Sequence, residues 1–163
     1  MARTWNYSVN EDNGVAVSGT KVYIGTTAAS PANDTFKQIG RLLSIPTFGP
    51  KGTPITLDLV GNGNQVTLHG IDVLGQGDFE FVWDAEDDGQ AAVIAAQQDK
   101  SNNYNLVVEL PDPGSPGGRG TMYDLKVKVL GATRVSGTAN NPWKLVMTVG
   151  FNSLPAETAA TST

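Results

Sequence analysis

The 163-residue sequence has no cysteine and one histidine. The first absence excludes disulfides, thiolate metal sites and cysteine nucleophiles together. The second leaves His69 as the sole imidazole base, and no serine motif accompanies it, so a Ser–His–Asp site has nothing to be built from. Basic residues are also scarce: 11 Lys and Arg stand against 16 Asp and Glu, a formal net charge of −5 with a pI near 4.7. A nucleic-acid binder gains affinity by releasing counterions through a basic face, and this composition offers none. No apolar run approaches the roughly 20 residues that cross a bilayer. The opening "MARTWNYSVNEDNG" has no apolar signal core, so secretion is not expected, and the N-x-S/T matches at Asn6 and Asn33 carry little meaning.

What is present is short apolar runs separated by turns. Nineteen glycines and nine prolines punctuate the chain, as in all-β domains. Residues 1–19 read as an N-terminal arm, polar and flexible over its first 13 residues and carrying Trp5 and Tyr7. "VAVSG" and "KVYIG" read as strands about Gly19. "TFKQIGRLLSIP" reads as one strand closed by Pro46. "ITLDLV" puts Ile55, Leu57 and Leu59 on one face; "GNGN" is a turn signal, and "QVTLHG" a second short strand. "DFEFVWD" alternates most clearly, with Phe79, Phe81 and Trp83 opposite Asp78, Glu80 and Asp84.

"DGQAAVIAAQQDKS" is the one expected helix, about 88–99. Asp87, with Gln90 three residues later, forms a capping-box variant, and the acidic cluster suits the helix N-terminus. "YNLVVEL", "TMYDLKVKVLG" and "PWKLVMTVGF" supply three more strands, the last long and apolar enough to serve as a sheet edge that recruits other chains. Trp83, Trp143 and Phe151 read as core. Lys126 and Lys128 share a polar face whose side the sequence does not assign. Residues 153–163 read as a disordered tail. The expected fold is mainly β: a sandwich or barrel over 20–152 with one flanking α-helix and a long inter-strand loop at about 46–66.

Motifs for chemistry are thin. Asp84, Glu86, Asp88 and Gly89 match the first half of a calcium loop, but Ala95 stands where its bidentate glutamate belongs. Asp78, Glu80 and Asp84 could be imagined as hydrolytic carboxylates, yet no aromatic sugar platform flanks them. "PGSPGGRG" lacks the Lys-Ser/Thr of a phosphate loop and reads as a surface turn. No catalytic residue, metal ligand or cofactor is assigned, and the chain reads as a structural or interaction protein rather than an enzyme.

The order of elements resembles the major tail tube proteins of long-tailed, siphovirus-type bacteriophages. The resemblance rests on "DTFKQIGRLLSIP", on Gly77, Phe79 and Phe81, on Asp84, Asp88, Gly89, Gln90 and Ala92 at the helix start, and on "LPDPGSPGG" followed by two final strands. It covers roughly residues 20–152; the family's usual "K-x-P-G" run in the long loop is replaced here by "QVTLHGIDVLGQGDF". It implies a homohexameric ring that stacks into a hollow tube for genome ejection, located in the virion tail and assembled in the host cytoplasm. Its partners would be further copies of itself, the tape measure, the tail tip and the tail terminator, with DNA in transit and no membrane. The long loop would contact the adjacent ring through Pro46, Phe48, Pro50, Lys51 and Pro54. The prolines would lower the entropy cost of ordering it. Asp58, Asp78 and Glu80 would face the lumen, where carboxylates repel phosphate. Alternatives are a neck or tail-completion ring, the inner tube of a contractile tail, or a phage-surface carbohydrate-binding sandwich.

Overall fold

The computed structural model describes residues 3–6, 19–61, 63–112 and 118–161. Its elements run β1 (Thr4–Asn6), β2 (Lys21–Ile24), β3 (Thr35–Ile39), β4 (Leu42–Ser44), β5 (Lys51–Asp58), β6 (Gln65–Val73), β7 (Gln76–Val82), α1 (Asp88–Gln98), β8 (Tyr104–Glu109), β9 (Met122–Val135), β10 (Lys144–Phe151) and β11 (Ala156–Thr158). A main sheet is ordered β1-β3-β2-β8-β9-β10-β7-β4, with β11 added beside the first half of β9. β5 and β6 form a separate two-stranded sheet. The architecture is the expected one, mainly β with a single α-helix among the described residues.

The main sheet curls on itself. β3, second from one end beside β1, and β4, at the other end, are consecutive in the chain, and Ile39 and Leu42 are buried in one cluster with Phe79, Phe81, Leu106, Val127 and Met147. The run 35–46 is therefore two strands rather than the single one expected. The break is at Gly40 and Arg41, where Arg41 takes a left-handed φ of 58°, a conformation that a side chain adopts only when its surroundings hold it there.

The helix N-terminus does the holding. Asp87 caps α1 by accepting from the Gln90 N–H at 2.9 Å. Its second oxygen accepts from the Gly40 N–H, also at 2.9 Å. Gln90 does not complete a capping box. It donates instead to the Val82 carbonyl at 2.8 Å and accepts from the Asp84 N–H at 3.0 Å. Gly89 lies so close to the Gln38 carbonyl that a Cβ would collide with backbone. The Asp-x-Gly-Gln run thus joins helix, β3 and β7 at the seam of the curled sheet.

Both faces of the sheet are covered near β2 and β8. On the helix side lie Val22, Ile24, Leu106 and Val108. On the other side Tyr23, Phe36, Val107 and Met122 form a second cluster closed by Trp5. Three expectations are corrected here. Residues 4–6 of the arm are not free: Trp5 packs on Tyr23 and Phe36 with ring centroids at 4.7 and 5.1 Å, and β1 pairs parallel with β3. The tail is not wholly disordered, because β11 continues along β9 where β10 stops. β10 is not an edge but lies between β9 and β7; the edges are β1 and β4. Tyr7, residues 15–18 of "VAVSG" and residues 113–117 of the glycine loop lie outside the described residues.

Candidate functional site

Two surfaces of the described residues stand out. The first is the β5–β6 arm. The segment expected as a loop over 46–66 is mostly a hairpin, and its second strand runs on to Val73. Opposite residues are Ile55 and Leu68, Thr56 and Thr67, Leu57 and Val66, Asp58 and Gln65. Opposed residues share a face. One face therefore carries Ile55, Leu57, Val66 and Leu68, and the other Thr56, Thr67, Asp58 and Gln65. A register shift between Gly52 and Pro54 brings Val73, opposite Lys51, and Ile71 onto the apolar side.

No described residue covers that face. Ile55, Leu57, Val66, Leu68, Ile71 and Val73 are all exposed, Ile71 to 78%. The tip turns through Gly61 and Gly63, both at positive φ, and presents Leu59 and Val60 to solvent. A two-stranded hairpin is marginal in water, and a contiguous apolar face of this kind marks an interaction surface.

The predicted inter-ring residues divide between root and arm. Phe48 packs on Tyr123 and Phe151 of the body, with ring centroids at 5.5 and 6.3 Å, and Leu74 anchors the other root in the same core. Pro46 sits over Gly77, where a Cβ would touch its ring. Pro46 and Phe48 therefore serve the subunit's own packing. Pro50, Lys51 and Pro54 are exposed at the base of the arm. His69 is on the arm's polar side, opposite Pro54 and 3.4 Å from Asp72.

The second surface is the outer face of β7, β10 and β9, opposite the core. Register places Val82, Lys144 and Val135 in one row, Glu80, Val146 and Thr133 in the next, then Asp78, Thr148 and Gly131, then Gln76, Gly150 and Lys128. Thr148 donates to Asp78 at 2.6 Å, and Lys144 donates to Glu80 at 3.2 Å. Asp78 and Glu80 are thus together, as expected. Asp58 is not with them; it is on the arm, accepting from Gln65 at 3.0 Å. Lys128 shares the outer face, so the rows hold two carboxylates and two ammonium groups. Its Nζ donates to the Asn102 carbonyl, and that of Lys126 to Ala28 and Ala29.

Among the described residues no group of three or more His, Cys, Asp or Glu is placed to hold a metal ion. Asp84, from the calcium-like run, accepts from the Glu86 N–H and faces Arg41. Trp143, expected in the core, is 55% exposed, because the β9–β10 turn carries it past the end of the sheet; Trp83 is half-buried under Arg134, whose Cζ lies 4.4 Å from its ring.

The strongest electrostatic perturbations serve loops. Burial works against ionisation of Asp34, but hydrogen bonds from Thr26, Asn105 and Thr35 outweigh it and hold its pKa below the ordinary 3.8. Asn102 and the Ser101 N–H hold Asp99 at about 2 in the turn after α1.

No family model and no curated protein sequence matches the chain. Solved structures do. A chain of the anti-feeding prophage baseplate superposes with a TM-score of 0.63 at 12% identity, covering 88% of this chain and 94% of that one. A chain from the sheath–tube complex of an extracellular contractile injection system (PVC) gives 0.62 at 13%, covering 91% and 94%. A chain from the tail of an empty GTA particle, refined with helical and C6 symmetry, gives 0.60 at 14%, covering 90% and 100%. The chain has the fold of tail-assembly components. At these identities the likeness is one of fold, and it extends over nearly the full length of both partners. It supports a phage-tail type of fold without selecting the siphovirus type.

Proposed function

We propose that the protein is a structural subunit of a tail tube, which stacks as hexameric rings around a channel for DNA. The observation that carries this reading is the β5–β6 arm: an amphipathic hairpin, rooted in the core at Phe48 and Leu74, with its apolar face uncovered. The arm seats on the next ring. Fully burying one side chain of this size is worth about 1.5–3 kcal/mol. Half-realised burial of six gives about 5–9 kcal/mol, the same order as the cost of association. One arm contact is therefore near balance. Six per ring act together, so assembly is cooperative and steep in concentration.

The outer face of β7, β10 and β9 lines the channel. With Asp78 and Glu80 set against Lys144 and Lys128, and a whole chain at −5, it gives DNA a polar wall with no basic track to grip. The tape measure, tail tip and terminator are the further partners of such a tube. An inner tube of a contractile tail is the second reading, favoured by the matched chains from the extracellular contractile injection system.

The test is negative-stain electron microscopy of the purified protein before and after concentration. Hollow tubes or six-fold rings with a central channel are expected. A particle that stays monomeric at high concentration, and with tail-tip protein added, would contradict the proposal.

A further inference from the structure

Trp5 occupies a socket on the sheet face away from α1. Tyr23 and Phe36 hold its ring from two sides, and the Arg119 guanidinium caps it at 3.8 Å from the ring centroid. Arg119 is fixed in turn by Glu109, at 2.6 Å. Arg3, two residues before Trp5, pairs with the nearly buried carboxylate of Asp124. The socket thus reads an Arg-x-Trp segment by charge and by aromatic fit, on a strand that pairs only with the sheet edge, Thr4, Trp5 and Asn6 opposite Thr35, Phe36 and Lys37.

The chain that follows is far longer than this seat requires. Asn6 and Ile24 flank Lys37 on its two sides, about 10 Å apart across two strand spacings, and Lys21 lies about 10 Å further along β2. The connection therefore bridges roughly 14 Å. Fourteen residues, 7–20, reach about 45–50 Å when extended. The slack is enough to carry Arg3–Asn6 to the socket of an adjacent copy.

We propose that this strand is exchangeable, so that the Trp5 socket of one copy accepts the Arg3–Asn6 segment of another. Exchange keeps every contact of the closed subunit and adds a chain link between copies, which makes it a low-cost route to association. The inference rests on the tube reading only for bringing copies together.

The cysteine-free chain permits a direct test. Asn6 and Lys37 are paired and both exposed. An Asn6→Cys chain bearing a size tag is mixed with an untagged Lys37→Cys chain, co-assembled, and oxidised. A disulfide between positions 6 and 37 then forms only between copies. In an equal mixture, where random neighbours cap the yield at half of the chains, we expect it to approach that limit, and to fall at least fivefold when Trp5→Ala is added to the tagged chain. In the double variant Asn6→Cys, Lys37→Cys, the expected product is a covalent ladder. Closure of the double variant within single chains only, with no mixed disulfide, overturns exchange, as does the absence of either product. Microscopy of the same samples separates the two proposals. Tubes without the mixed disulfide end exchange and leave the tube reading standing, whereas a mixed-disulfide dimer without tubes does the reverse.

Discussion

In the body, Phe79 and Phe81 alternate with Asp78 and Glu80 along β7, and both phenylalanines are wholly buried. In the arm, Ile55 and Leu57 alternate with Thr56 and Asp58 along β5, and remain 48% and 42% exposed. The period is the same and so is the local structure. The difference is what lies opposite. β7 has β4 on one side and β10 on the other, with the curled sheet and helix beyond its apolar face. β5 has only β6. Among the described residues, the body buries its own apolar face and the arm does not. Substitutions in the two regions should therefore separate stability from assembly.

The largest loss of stability is expected in the body. Phe81→Ala empties a fully buried site and should cost about 3–5 kcal/mol, read as a lower denaturation midpoint with an unchanged slope. A smaller loss is expected at the loop that joins β2 to β3. Asp34→Asn weakens bonds from Thr26, Thr35 and Asn105 and should cost about 1–3 kcal/mol at neutral pH. The sign of its pH dependence is fixed. The folded pKa is lowered, so the ionised carboxylate contributes its stability above 3.8 and loses it as pH falls from there through the folded value. Wild type and variant should converge below that window in acid titrations followed by circular dichroism.

Asp87→Ala removes the helix cap and the acceptor for Gly40, and should cost about 1–2 kcal/mol. The smallest effect on stability belongs to the arm. Leu57→Asp with Leu68→Asp should change the melting temperature by no more than a degree or two, since neither side chain belongs to the body's buried clusters. On the outer face, Asp78→Lys with Glu80→Lys should leave assembly intact. It should convert tubes that ignore DNA into tubes that retain it at low salt and release it as salt rises, measured by co-sedimentation.

Much of the body was legible from residues alone. Strict alternation announced β7 and the core halves of β9 and β10, and Asp87 with Gln90 announced the start of α1. Several features were not. The kink at Gly40–Arg41 depends on Asp87, 47 residues away in sequence, so no local pattern reports it. β10 reads as a recruiting edge because it is apolar, but a strand central to a sheet is apolar for the same reason. The arm's strands were visible in "ITLDLV" and "QVTLHG". Their pairing into a projecting hairpin was not, because an exposed apolar face and a buried one leave the same sequence signature. Of the site residues, Asp78 and Glu80 were legible as one face, whereas Asp58 obeys the same alternation on a different sheet. Phe48 was placed with the interface by the resemblance of the long loop, and its packing on Tyr123 and Phe151 was not legible from residues alone.

The most direct test of the arm as the assembly element compares wild type with Leu57→Asp, Leu68→Asp by electron microscopy at matched concentration and matched melting temperature. The account predicts hollow tubes from wild type and dispersed, fully folded subunits from the variant. Tubes of equal length and number from both would contradict it.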